Sequence, residues 1–310
     1  MLRKTLAVLA AFAFPALSMA QPVPSGAAIA PEFRLTGDVV TLPLTMVHSY
    51  PFVEAEINGV KGKLMLDTGQ LDALVLNHNP LQLPEGRSIG RGNFGSGESF
   101  EMILRPSVET IRLPGGLNYH RVTTFRSQNA AQIERITPDF IGWLGYYFWD
   151  GYAVKFDYGA RQATFYKGGP KAFLKGEKVI AAIPFTTPGR LDDPLMIAKV
   201  GDREFEVIPD TGQFGHLFAD ADERKHLIAI GAIKPVAGDD EAIDIGALRF
   251  AKGPPIHLSE IAEHPYEGAA PFAKAVGAKS RRIITLGFAL LNQYKTVWDY
   301  PNKMLYLLKQ

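Results

Sequence analysis

The 310-residue chain contains no cysteine, and that one absence removes disulfides, thiolate nucleophiles and Cys-ligated metals together. Stability must therefore come from packing. Charge of one sign is equally scarce. Lys and Arg number 33 against 32 Asp and Glu, a formal net charge of +1, and the signs are interspersed without a basic stripe, which argues against nucleic acid as a partner. The seven histidines form no H-E-x-x-H pattern and no i, i+4 pair, so no metal ligand set is legible. A G-x-S-x-G elbow is missing around Ser96, because residue 94 is Phe, and serine-hydrolase chemistry has no support. After the first twenty residues no apolar run is long enough to span a bilayer.

Those first residues carry their own pattern. Arg3-Lys4, an apolar run from Leu6 to Leu17 and Ser18-Met19-Ala20 before Gln21 have the charged, apolar and small-x-small regions of a secretory signal peptide. Pro15 interrupts the run, which is short for a membrane anchor. We expect cleavage after Ala20, a periplasmic or secreted mature chain, and no membrane association after cleavage. Residues 21–38, rich in Pro, Ala and Gly, are expected to be an extended lead-in with little structure.

From Val39 onward the chain breaks into short β-like runs, and the expected class is all-β with few short helices. Val39–Met46, Phe52–Ile57 and Gly62–Leu66 come first, with Asn58-Gly59 as a hairpin turn. Ala73–Leu76 follows. Gly90–Gly97 is a glycine-dense loop between Arg87-Ser88-Ile89 and Ser99–Leu104, and further strands fall at Thr110–Leu113 and His120–Thr124. Gly90-Arg91-Gly92-Asn93-Phe94-Gly95 matches G-x-G-x-x-G, but no helical spacing follows it, so a flexible hairpin tip is preferred to a nucleotide site and no cofactor is expected. Gly168–Lys178 reads as a linker. Asp222–Ile230 is the most helix-like stretch, with Leu227 and Ile230 on one face and Gly231 as its stop.

Two stretches organise the whole. Leu64-Met65-Leu66-Asp67-Thr68-Gly69-Gln70 and Val207-Ile208-Pro209-Asp210-Thr211-Gly212-Gln213 each carry an apolar run into Asp-Thr-Gly-Gln, 143 residues apart. At almost the same offset Leu144-Gly145-Tyr146 recurs as Leu286-Gly287-Phe288, and Val154-Lys155-Phe156-Asp157-Tyr158 as Thr296-Val297-Trp298-Asp299-Tyr300. The period is a whole domain, which makes this a two-fold duplication rather than a solenoid. Each half then brings one carboxylate to a shared place. Two carboxyl groups in hydrogen-bond reach cannot both ionise cheaply, so they share a proton, and such a pair can activate a water while protonating a carbonyl. The plainer alternative is that each Asp caps a turn without chemistry. Asp157 and Asp299 are expected to do just that. His216 is a titratable group close to the second motif, and Trp143, Trp149 and Trp298 are expected in the core or between lobes.

With these motifs the chain resembles the pepsin and retropepsin group of aspartic peptidases, in a two-lobed, bacterial-type secreted form, over essentially the whole mature sequence. The resemblance implies a bilobal pepsin-like fold: an N-terminal lobe over 39–168, a linker at 169–178 and a C-terminal lobe over 179–310. It implies peptide-bond hydrolysis by an Asp67–Asp210 dyad, supported by Thr68, Gly69, Gln70, Thr211, Gly212 and Gln213. Thr68 and Thr211 would grip across the lobes, and Gly92, Asn93, Phe94 and Gly95 would form a flap with Phe94 at its tip. A peptide or protein substrate, a monomer, and no metal or cofactor complete the expectation. The chain departs from that group in three places: Gln stands after each Gly where Ser, Thr or Ala is usual, Pro209 precedes Asp210, and the flap lacks a Tyr. The alternative function is a non-catalytic peptide- or ligand-binding protein on the same scaffold.

Overall fold

The computed structural model describes residues 30–93 and 99–310. The expected signal peptide, Phe94 and Gly95 lie outside the described residues. Strands dominate, at 51% against 14% helix, and the all-β expectation holds.

In chain order the first half contributes β1 (Val39–Pro43), β2 (Thr45–Val47), β3 (Tyr50–Ile57), β4 (Val60–Leu66), β5 (Leu74–Asn77), β6 (Arg87–Asn93), β7 (Ser99–Leu113), β8 (Leu117–Gln128), α1 (Ala131–Glu134), β9 (Phe140–Leu144), β10 (Ala153–Asp157) and β11 (Gln162–Tyr166). After α2 (Pro170–Phe173) come β12 (Val179–Pro184), β13 (Met196–Val200), β14 (Arg203–Pro209), β15 (Gly215–Ala219), α3 (Ala221–Ala229), β16 (Ile233–Val236), β17 (Asp239–Phe250), β18 (Ile256–Pro265), α4 (Tyr266–Val276), β19 (Ile283–Leu286), α5 (Phe288–Leu291), β20 (Lys295–Asp299) and β21 (Met304–Leu308).

The first sheet runs β2-β3-β4-β9-β5-β8-β7-β6 and the second β13-β14-β19-β15-β18-β17-β16. From β3 and β13 onward the two orders correspond strand for strand. Pairing sense corresponds as well: β4–β9 and β14–β19 are parallel, as are β5–β8 and β15–β18. A β13–β17 pairing closes six strands of the second sheet into a barrel. Its counterpart in the first joins β3 to β7 through Glu56↔Arg112 and Ile57↔Ile111. A third sheet, β1-β11-β10-β20-β21-β12, takes three strands from each half, and β10 meets β20 at its centre with Val154 opposite Trp298.

The apolar runs ahead of the two Asp-Thr-Gly motifs follow from this layering. β4 lies between β3 and β9 with both faces covered, Leu64 and Leu66 in the main core and Met65 against Phe52, Phe140 and Trp143. β14 repeats the arrangement, with Val207 in the main core and Ile208 against Ala269, Ala273 and Val276 of α4. A strand buried on both faces loses its polar alternation. The Asn58-Gly59 turn has φ of 48° and 84°, the left-handed pair that a two-residue hairpin turn needs.

Several expectations change. Part of the lead-in is packed: Phe33 and Leu35 are buried, and the Phe33 ring centroid is 4.7 Å from Tyr119 and 4.8 Å from Phe148. The separate runs at Ser99–Leu104 and Thr110–Leu113 are one long strand, β7, because a polar outer face does not interrupt a ladder that β8 continues. The linker contains α2, whose Phe173 is fully buried. Leu227 of α3 is buried, but Ile230 lies beyond the helix and is 46% exposed. The longest helix among the described residues, α4, was not expected and has Pro271 inside it; Ala269, Ala273 and Val276 give it one buried face. Among the described residues no helix is long and apolar enough to cross a membrane.

Candidate active site

Asp67 and Asp210 are the first residues past β4 and β14. Each extends its parallel ladder by one bond: Asp67 N–H donates to Leu144 O at 3.0 Å and Asp210 N–H to Leu286 O at 2.8 Å. Pro209 therefore leaves the hold on Asp210 unchanged, since the missing donor belongs to the residue before it.

The apolar-Gly landmarks form the floor beneath these loops. A Cβ at Gly145 would stand 2.2 Å from the carbonyl oxygens of Gln70 and Asp72, and one at Gly287 only 1.8 Å from that of Gln213. Glycine is needed because backbone lies directly on backbone. The next residues tie the loops down: Tyr146 N–H donates to Gln70 O at 2.7 Å and Phe288 N–H to Gln213 O at 3.0 Å.

Across the two halves, the threonines interlock. Thr68 N–H donates to Thr211 Oγ1 at 3.0 Å, and Thr211 N–H to Thr68 Oγ1 at 2.9 Å. The Thr211 hydroxyl donates in turn to Leu66 O at 2.7 Å. Both side chains are buried, so these bonds replace water that cannot enter.

The glycines face the opposite carboxylates. A Cβ at Gly69 would lie 2.9 Å from Asp210 Oδ2, and one at Gly212 2.8 Å from Asp67 Oδ1. Gly69 N–H donates to Asp67 Oδ1 at 2.9 Å and Gly212 N–H to Asp210 Oδ1 at 2.7 Å. The two residues are half-buried, and their carboxyl groups sit in a desolvated setting within hydrogen-bond reach of each other. Burial first, then the charge of Asp210, hold Asp67 well above the usual carboxylate range. Burial also raises Asp210, opposed by Gly212 N–H, the Asp67 hydroxyl, the Gln213 amide and Arg190. Two carboxyl groups coupled this closely titrate as a unit.

The two glutamines differ. Gln213 Nε2 donates to Asp210 Oδ2 at 2.9 Å, while its Oε1 lies 3.0 Å from His216 Nδ1. Gln70 turns elsewhere: its Oε1 accepts from Asp72 N–H at 3.3 Å. Asp157 and Asp299 accept from the backbone N–H of Ala160 and Asn302 in their hairpin turns, at 2.8 and 3.2 Å. Gly92 and Asn93 end β6 opposite Phe100 and Ser99.

Sequence reasoning missed a charged cluster beside the dyad. Arg190 Nη2 donates to Gly69 O at 2.5 Å and to Asp192 Oδ2 at 2.5 Å, and its Nε stands 2.9 Å from Asp193 Oδ2. Asp192 and Asp193 are buried. Asp210 adds its charge to those of Asp192 and Asp193 on the same guanidinium, and burial followed by the Asp192 charge pushes Asp193 well up. The signal was present in Arg190-Leu191-Asp192-Asp193 between Gly189 and Pro194, three charges in a segment that continues into an apolar strand. Tyr50 also lies near the dyad, its phenol raised by burial and by both aspartates. Among the described residues no group of three or more His, Asp or Glu is arranged to hold a metal ion.

No family model matches this chain, and no curated protein matches it.

Proposed function

We propose that the protein is an aspartic endopeptidase with two similar lobes of pepsin-like fold, residues 39–168 and 179–310 joined by 169–178, exported to the periplasm or beyond and acting as a monomer on peptide or protein substrates. The juxtaposition of Asp67 and Asp210, at the ends of equivalent strands with both carboxyls raised, carries this reading; in it the pair shares one proton. A water between the carboxyl groups gives a proton to the ionised Asp210 as its oxygen attacks the peptide carbonyl, and Asp67 protonates the carbonyl oxygen. The resulting diol collapses when Asp210 passes its proton to the leaving nitrogen and the diol hydroxyl returns one to Asp67. The glycine-dense segment 90–97 serves as the flap in this scheme.

Incubating the mature chain with a peptide library tests the proposal. Turnover sensitive to pepstatin is expected, together with a fall of about 10⁴-fold or more in Asp67→Asn and Asp210→Asn, both of which should melt no lower than the wild type. Saturable peptide binding without product would overturn the catalytic reading in favour of a binding protein.

A further inference from the structure

We infer that His216 is a positioning residue: it holds the Gln213 carboxamide in the orientation that donates to Asp210, and so makes Asp210 the ionised member of the pair and Asp67 the acid. The inference deepens the aspartic-peptidase reading and rests on it for its catalytic consequence, though not for its geometry.

A carboxamide has a donor end and an acceptor end of nearly equal shape, and its partners decide which way it faces. The Gln213 carboxamide has Asp210 Oδ2 at 2.9 Å on one side and His216 Nδ1 at 3.0 Å on the other. An ionised carboxylate only accepts, so Nε2 faces Asp210 and Oε1 faces the imidazole. Oε1 in turn accepts, so Nδ1 must carry the ring's proton. The Thr285 hydroxyl lies 3.3 Å from the same nitrogen. Were Nδ1 unprotonated, the carboxamide would turn over and present its oxygen to a carboxylate.

The ring is well placed for this. His216 sits in β15 directly opposite Thr285 of β19, with Phe218 and His264 at ring-centroid distances of 5.7 and 5.4 Å. Burial first, then His264, lowers its pKa to about 3, so it stays neutral and adds no charge to the site. Near its neighbour His264 stand Glu241 and Glu263. Facing Asp210 are Asp67, Arg190, Asp192 and Asp193, with the phenols of Tyr50, Tyr158 and Tyr300 further out. Those groups set the mean field on both carboxyl groups. Each carboxylate accepts one backbone N–H, Asp67 from Gly69 and Asp210 from Gly212, and Asp210 accepts the Gln213 side-chain amide besides.

Carbon-13 NMR titration of the aspartate carboxyl carbons in the full mature chain, assigned with Asp67→Asn and Asp210→Asn, reads the pair directly. Asp210 should titrate below Asp67 in the wild type. In Gln213→Leu the Asp210 midpoint should rise by about one pH unit, the value of a charge-assisted hydrogen bond. His216→Phe keeps a ring and removes the donor; it should raise the midpoint by roughly half a unit or more and move the acidic limb of kcat/KM with it, KM staying constant. His216→Asn, which returns an N–H near the same place, should bring both back towards wild type. An unmoved Asp210 midpoint in Gln213→Leu or His216→Phe, or no recovery in His216→Asn, overturns the inference whether or not the chain is active. Midpoint shifts in a chain that hydrolyses no peptide would uphold it and overturn the peptidase reading instead.

Discussion

Around the dyad the two halves of the molecule share their backbone and differ in one short connection. In the first half residues 70–73 lie between the Asp-Thr-Gly motif and Leu74, which pairs with Leu144; in the second only 213–214 precede Gly215, which pairs with Leu286. The extra length brings Asp72, whose N–H takes the Gln70 side chain and whose carboxylate pairs with Arg126. Without that extension His216, in the register place that Val75 holds in the first half, comes within reach of Gln213. Identical glutamines thus acquire different partners because the loops that follow differ in length. The sheets supply symmetry, and the connections remove it.

Four experiments would break or sharpen this contrast. The largest effect is expected where the halves agree. Ala at Gly145 or at Gly287 drives a methyl group into backbone, and each variant should lose more than about 4 kcal/mol in chemical denaturation, among the exceptional values for single changes; one tolerated substitution would show that the two floors are not equivalent. Next comes a feature of the first half alone. Arg126→Met removes the ion pair of the buried Asp72 carboxylate and should cost about 3–5 kcal/mol, with Gln70 rather than Gln213 showing the larger amide shift in NMR spectra.

The threonine interlock should yield smaller and unequal losses. Thr68→Val and Thr211→Val each leave a buried N–H without its acceptor, at about 1–3 kcal/mol. Thr211→Val should be the more damaging, because its hydroxyl also satisfies Leu66 O. Equal losses would mean that this third bond contributes nothing.

The smallest effects are in pH dependence, where Asp67 and His216 act with opposite sign. The Asp67 carboxyl is raised, so its contribution to folding is fully present below about pH 4 and is lost as pH climbs towards its folded value. His216 is lowered to about 3, so its contribution is present above about 6.5 and is lost as pH falls towards 3. Between pH 5 and 6 the wild type should lose stability relative to Asp67→Asn as pH rises and gain it relative to His216→Phe. Each slope is at most about 1.4 kcal/mol per pH unit. Parallel curves for all three proteins would remove both titrations from the folding equilibrium.

Much of this was legible in the chain itself. The alternating runs and turn dipeptides revealed the strands, and the recurring motifs revealed the duplication, because a repeated local pattern needs no knowledge of what packs against it. Gly145 and Gly287 were visible as landmarks, although only the fold shows that they support the loops bearing the aspartates. What stayed hidden depended on long-range contacts. Arg190 reaches Gly69 across 121 residues, and nothing in Pro188-Gly189-Arg190 indicates that destination. The Gln70–Gln213 difference was equally invisible, since it arises from register between β5 or β15 and its neighbour. Helix α4 contains Pro271, a residue that usually breaks helices, and packs its alanines against Ile208 of β14, a contact no local pattern announces.

The central β10–β20 ladder of the shared sheet carries a consequence for assembly. With one aspartate on each half and both halves on a single chain, meeting of the carboxyl groups is first order and independent of protein concentration. A cut at exposed Lys175 or Gly176, between Phe173 and Val179, would make the same encounter bimolecular. Strands β10 and β20 would still hold the fragments at high concentration, but dilution would then separate the two acids, and the proposed peptidase activity would fall faster than in proportion to the amount of protein present.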